Sequence, residues 1–165
     1  MTRLTLVPIT LDQLDLLAVG DFVAAGRSIG TPVPPDFADG QWIWQNFAHL
    51  IRSEPGLAWW RTQYLICEDG SIVGHARLFP PTQREAQIGW HVDPIRRNRG
   101  AATRAAEALA DIARQRPEVD RLVALINHQN VASQRVAAKA GFLADGEQRH
   151  RFGQLMLRYV LPLRD

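Results

Sequence analysis

The sequence predicts a single α/β domain built around a mixed sheet, and three observations carry that expectation. A chain of 165 residues is long enough for one core. Its apolar pattern switches repeatedly between a period near two and a period near 3.6. The resulting order, β-α-α-β-β-β-α-β-α-β-β, gives seven strands and four helices with no linker, repeat or low-complexity tract between them. The expected domain therefore spans residues 1–165.

Each element has its own local reason. "RLTLVPIT" (Arg3 to Thr10) alternates apolar and polar residues, as a first strand does. "LDQLDLLAVGDFVAAGRS" follows with helical spacing at Leu11, Leu14 and Ala18. Three prolines and two glycines between Ile29 and Gly40 break it into a loop. Trp44, Phe47 and Ile51 then recur at i, i+3 and i+7, predicting a second helix from about Phe37 to Arg52, closed by Pro55 and Gly56. "TQYLICED" and "SIVGHARLF" read as strands joined by the hairpin turn Asp69-Gly70. "REAQIGWHV" is the next strand, after Pro80-Pro81. A long helix ends before Pro117, with Arg104, Glu107, Asp111 and Arg114 on one stripe and Ala102, Ala106, Leu109 and Ala113 on the other. "DRLVALIN" is apolar at nearly every position, as in a strand buried on both faces. "NVASQRVAAKAGF" is a short helix with Asn130 at its cap and Gly141-Phe142 at its end. Strands around Leu143 to His150 and Gln154 to Leu161 complete the order.

Composition narrows the function classes. Hydrophobic residues make up 46% and charged residues 22%, the balance of a globular chain. The apolar runs fall short of the roughly 18 residues a membrane span needs, and "MTRLTLVPIT" lacks the apolar stretch of a signal peptide, so the expected address is cytoplasmic, away from membranes. Cys67 is the only cysteine, which excludes an intrachain disulfide and a cysteine-based zinc site. His49, His75, His128 and His150 show no metal-ligand spacing, and no metal is expected. The net charge is +2; arginines dominate the basic residues, with Lys139 the sole lysine. Basic clusters exist without a recognisable nucleic-acid-binding module, which weighs against nucleic acid as a partner.

The segment "RRNRGAATRAAEALADIA" (Arg96 to Ala113) departs from ordinary helix starts. Cations sit where the helix dipole favours anions. Free amides at a helix N-terminus bind anions, and arginines beside them add charge-assisted hydrogen bonds to phosphate. Gly100 supplies a backbone path and an open approach. The arrangement makes sense around a polyphosphate. The Walker pattern and G-x-G-x-x-G are both absent.

What is present, Val92-x-Pro94-x-x-Arg97-x-x-Gly100-x-Ala102 between a strand and a helix, resembles the acetyl-CoA signature of the GNAT N-acyltransferases. Downstream, "NHQNVASQRVAAKAGF" resembles that family's second block, matched at Asn130, Ser133, Lys139, Gly141 and Phe142. "IGWHVDP" and "NVASQRVAAKAGF" look most like the subgroup containing the ribosomal-protein N-terminal acetyltransferases. The resemblance implies a GNAT-like, mostly antiparallel sheet whose fourth and fifth strands splay apart to admit the pantetheine arm of acetyl-CoA. It implies transfer of an acetyl group to a primary amine by direct attack on the thioester, with the amine-bearing acceptor unidentified and a homodimer left open.

The same resemblance assigns residues. Backbone groups at Trp90, His91 and Val92 would meet the pantetheine and thioester. Arg97, Asn98, Arg99, Gly100, Ala101, Ala102 and Thr103 would hold the pyrophosphate, and Asn130 and Ser133 would touch the cofactor from across the splay. Where related enzymes carry a glutamate before the "IG" pair, this chain has Gln87. Glu85, on the same strand face, and His91 are the candidate bases, against a solvated acid and a packing histidine. A tyrosine common in the family is replaced by Ala137, leaving Ser133 as the candidate acid or, alternatively, a helix cap. Gln87 and Ala137 also motivate the competing reading of a catalytically silent acyl-CoA-binding module. The loop carrying Pro32, Pro34, Pro35, Asp36 and Asp39, with Trp42 and Trp44 beyond, would wall the acceptor pocket.

Overall fold

The computed structural model describes residues 3–164; Met1, Thr2 and Asp165, at the ends of the expected 1–165 domain, lie outside it. Seven strands form one sheet: β1 (Leu4–Pro8), β2 (Gln63–Glu68), β3 (Ser71–Leu78), β4 (Glu85–Val92), β5 (Arg121–Ile126), β6 (Leu143–Arg149) and β7 (Leu155–Pro162). Their spatial order is β1-β2-β3-β4-β5-β7-β6. Only β4 and β5 run parallel; every other neighbouring pair is antiparallel. The helices are α1 (Leu11–Ala18), α2 (Phe22–Ile29), α3 (Gln41–Ser53), α4 (Ala101–Arg114) and α5 (Val131–Lys139), with short 3-10 turns at Pro35–Phe37, Pro55–Arg61 and Pro94–Arg96.

The first expected helix is in fact two. Gly20 has φ +81°, which ends α1, and the Asp21 carboxylate accepts the Ala24 amide at 3.0 Å to start α2. The exposed carbonyl of Ala18 is taken by the side-chain amides of Gln41 and Gln45 on α3, at 2.9 and 3.0 Å. The helix expected from Phe37 starts at Gln41, because Pro35–Phe37 makes its own tight turn.

Helices cover the sheet on both sides and give two cores. On one side the alanine face of α4 (Ala105, Ala106, Ala110) lies against Ile88, Val92 and Leu122. Side chains this small let the helix axis approach the strands closely. On the other side Leu14, Leu17, Phe37, Trp44 and Phe47 pack together. β4 contributes to the first: Ala86, Ile88 and Val92 turn towards α4, while Glu85, Gln87, Gly89 and His91 share the opposite face.

The decisive feature is where β4 stops pairing. Glu85, Ala86 and Gln87 pair with Arg121, Leu122 and Val123, and beyond them the two parallel strands have no register partners. β4 nevertheless runs on to Val92 and β5 to Ile126. A gap between parallel strands leaves backbone donors and acceptors facing open space.

Candidate functional site

A cavity of about 480 Å³ opens at that gap and runs between α4 and α5. Trp90, His91 and Val92 form one wall, the α4 start another, and Asn130, Ser133 and Val136 of the α5 segment a third. Arg96, Arg97, Arg135 and Lys139 line it, and among the described residues no acidic one does. A second hollow of about 370 Å³, lined by Asp120, Arg121 and Arg164, lies away from these groups.

The floor of the main cavity is built from main chain. Gly100 has φ +80° and is the cap of α4; no side chain caps the helix and no acid occupies its first turn. The first intrahelical bond is from the Arg104 amide to the Gly100 carbonyl, which leaves the amides of Ala101, Ala102 and Thr103 without a cap. Asn98, with φ +62°, precedes them, and successive left- and right-handed conformations of this kind turn amides into an anion-binding concavity. Side chains hold the loop from behind. Arg97 Nε donates to the Val92 carbonyl at 3.0 Å, and Arg104, paired with Glu68, donates to the Arg99 carbonyl at 3.2 Å. A Cβ at position 100 would meet Arg104 Nη1 at 3.1 Å, so bulk there is resisted as well as the backbone conformation.

The opposite face of β4 carries side-chain chemistry. His91 Nε2 lies 2.7 Å from Asp36 Oδ2, an acid brought in by the Pro35–Phe37 turn. A carboxylate can only accept, so this contact puts a proton on Nε2 and makes Nδ1 the atom through which the ring can act as a base. His75, opposite His91 across β3 and β4, stacks on it at 5.2 Å and meets Phe37 and Trp44 edge-on. At 4% exposure, burial pushes His75 well below the ordinary histidine range, with Arg77 and His91 adding to the shift. Gly74 makes the close pairing possible, because a Cβ there would collide with the His91 carbonyl and come within 2.9 Å of Val92 Cα.

Of the residues expected to contact cofactor, Trp90, His91, Val92, Arg97, Asn98, Gly100, Ala101, Ala102, Thr103, Asn130 and Ser133 line the cavity. Arg99 does not; its carbonyl is bound by Arg104. Asn130 is the α5 cap, its side chain accepting from the Ser133 amide at 3.0 Å, so the helix is capped without the Ser133 hydroxyl. Ala137, at the family's tyrosine position, is fully buried in the core. Glu85 stands apart from the cavity. Arg158 grips it with two hydrogen bonds of 2.9 and 3.2 Å, and Arg121 lies at 3.4 Å. Six residues of strand, about 20 Å, separate it from His91. Trp44 is core, its indole nitrogen donating to the Phe37 carbonyl at 3.0 Å, whereas Trp42 is exposed. Sequence reading missed Arg96, Arg135 and Lys139 as lining cations, although helical spacing puts Arg135 and Lys139 on one face of α5. It also left His75 among scattered histidines; only the β3–β4 register shows its place beside His91.

The family model described as acetyltransferase (GNAT) domain matches residues 3–143. Among solved structures, the aminoglycoside acetyltransferase AAC(6')-Ib in complex with coenzyme A and kanamycin superimposes with a TM-score of 0.67 at 18% identity, over 97% of this chain and 95% of that one. The ribosomal-protein alpha-N-acetyltransferase RimL, without ligand, gives a TM-score of 0.67 at 19% identity, over 99% and 95%. A spermidine N-acetyltransferase chimera from Vibrio cholerae and hSSAT gives 0.68 at 12% identity, over 98% and 96%. No curated protein matches the chain. With that family match over most of its length, on a sheet that parts between β4 and β5, the chain belongs to the GNAT acetyltransferase domain family.

Proposed function

We propose that the protein is an acetyl-CoA-dependent N-acetyltransferase acting on a primary amine. The observation that carries this reading is the cavity at the β4–β5 gap, lined among the described residues by four cations and no acid, with the uncapped start of α4. That donor set suits a diphosphate: free amides and guanidinium groups both satisfy phosphate oxygens. Amides of Ala101 to Thr103 would hold the pyrophosphate, with Arg96, Arg97, Arg135 and Lys139 around it. Unpaired backbone beyond Gln87 would hold the pantetheine and orient the thioester carbonyl. Acetyl-CoA supplies the activated acetyl group.

The chain's own residues then have three tasks. Fixing the two reactants side by side turns a bimolecular encounter into a nearly unimolecular one. His91, with Nε2 held by Asp36, takes the amine proton on Nδ1, freeing the lone pair that forms the new C–N bond. Glu85 is the weaker choice because two arginines hold it at the far end of β4. As the C–S bond breaks, the Ser133 hydroxyl donates a hydrogen bond to the sulfur, and solvent supplies the proton that completes the thiol. Ser133 is free for this because Asn130 performs the capping.

The test is release of CoA thiol from acetyl-CoA against a panel of amines and peptides, with CoA affinity measured by calorimetry. Amine-dependent release with saturable CoA binding is expected. Tight CoA binding with no thiol release from any amine would instead indicate a silent acyl-CoA-binding module.

A further inference from the structure

Two polar groups on the acceptor side of β4 are orphaned, and they have opposite charge. Asp36 Oδ1, beside the His91 contact, is buried without a hydrogen-bond partner. Arg77 Nε is buried without one as well. Unpaired polar groups of this kind are costly unless something completes them. The contrast within the chain is informative: exposed arginines such as Arg52 and Arg84, which need no partner, each hold a carboxylate, whereas the inward-facing Arg77 has neither ion pair nor hydrogen bond among the described residues.

Register puts the two groups in one site. Arg77 pairs with Gly89 and His75 with His91, so Arg77 and His91 share a sheet face. Gly89 has no side chain to lift the guanidinium: a Cβ there would come within 3.2 Å of Arg77 Nε and 3.4 Å of Cζ and Nη2. Arg77 therefore lies across β4 just beyond Gln87, where β4 leaves β5. One strand step of two residues, about 7 Å, separates that point from His91. Burial, and then the Arg151 charge, lower the Arg77 pKa to about 10, and no carboxylate offsets them. The other acids nearby are committed, Glu85 to Arg158 and Arg121.

We infer that the acceptor is an amine that also carries a carboxylate, its nitrogen received beside the Asp36–His91 pair and its carboxylate held by Arg77. This deepens the acetyltransferase reading and rests on it. The carboxylate has two chemical sources, the α-carboxylate of a free amino acid or an acidic side chain next to a peptide amino terminus. Polycations fit badly, because an ammonium group carried to the second position meets the Arg77 charge, on which the Arg151 charge also acts.

Matched pairs test the inference on the wild-type protein. One pair is alanine and alaninamide; the other is the amidated peptides Ala-Glu-Ala-Ala and Ala-Gln-Ala-Ala, with spermidine as the anion-free polycation. The expected result is a kcat/KM about 10- to 100-fold higher for the acid of one pair, which identifies the source, with spermidine poorest. In Arg77→Met that preference collapses to within about threefold while CoA affinity is kept, and Arg77→Lys restores part of it. Equal rates for acid and amide in both pairs, a preference that survives Arg77→Met, or a preference for spermidine overturns the inference. The wild-type comparison stands even where Arg77→Met does not fold. Should no amine release thiol, the acetyltransferase reading fails separately. Melting temperatures of the CoA-loaded protein with each pair then decide this inference: a rise with an acid alone supports it, and equal response to acid and amide overturns it.

Discussion

The two faces of β4 are built by different means. On the α4 side the cavity comes mainly from two continuous segments, Arg96 to Thr103 and Asn130 to Lys139, and its floor is backbone: a glycine at φ +80° and three uncapped amides. On the other side, single side chains arrive from separated places. Asp36 comes from a 3-10 turn, His75 and Arg77 from β3, and His91 from β4. The first kind of site depends on chain conformation, which neighbouring residues dictate. The second depends on strand register and loop placement, which no local pattern records. A substitution should therefore damage one face and spare the other, and that independence can be attacked directly.

The largest effect is expected at Gly100. Gly100→Glu places a negative side chain at the mouth of the amide cradle and strains a backbone that favours glycine. CoA binding should fall below detection in calorimetry, while the protein stays folded and the Asp36–His91 face is undisturbed. Unchanged CoA affinity in a folded variant breaks the assignment of the cradle. Ser133→Ala should come next, lowering kcat about 10²–10³-fold at constant CoA affinity, as loss of a donor to developing charge does. Its melting temperature should hardly change, because Asn130 and not Ser133 caps α5. A lower melting point with normal kcat would remove Ser133 from the chemistry.

His91→Gln tests the side-chain-built face. It should lower kcat by about 10² and erase the acidic limb of the pH–rate profile, with CoA affinity intact. Asp36→Asn should move kcat in the same direction by less, since an amide no longer fixes His91 with Nδ1 free. If both variants keep the wild-type profile, the amine enters already neutral and the dyad only binds it.

The same contrast explains what could be read from the chain. The succession of strands along the chain and the two motif blocks were legible because β4, α4 and α5 carry their punctuation locally: Asp93 before Pro94, Gly100 before the alanine stripe, Asn130 before Val131. The split between α1 and α2 was missed, although Gly20-Asp21 writes a stop and a cap, because apolar residues continue on both sides. Glu85 could be placed on the right strand face but not against Arg158, which comes from β7, 73 residues away. His75 and Arg77 were invisible as site residues for the same reason: the β3–β4 pairing that aligns them with His91 and Gly89 is a tertiary fact. Arg104 belonged to a visible polar stripe, yet its pairing with Glu68 depends on β2.

The smallest effect sharpens the comparison through stability alone. His75 is buried between Phe37, Trp44 and His91, and its Nδ1 has no partner. The folded protein holds it neutral, with a pKa well below its ordinary value, first by burial and then by Arg77 and His91. In the unfolded chain a histidine takes up a proton near pH 6.5. Between that pH and the lower folded pKa, the unfolded state binds more protons, so stability rises with pH. The contribution is therefore complete above about pH 6.5 and is lost as pH falls through it, at up to about 1.4 kcal/mol per pH unit, levelling off below the folded pKa. His150, lowered by partial burial and by Arg151, acts in the same window and leaves a residual slope. Asp15, held low by Arg52, loses its share only in the carboxylate range below about pH 4. His75→Phe keeps a ring in the aromatic cluster and removes the titrating group. Its melting temperature should fall less than that of the wild type between pH 7 and pH 5. Parallel curves for the two proteins would mean that His75 is protonated in the folded state, which an uncompensated charge beside Arg77 makes the costlier arrangement.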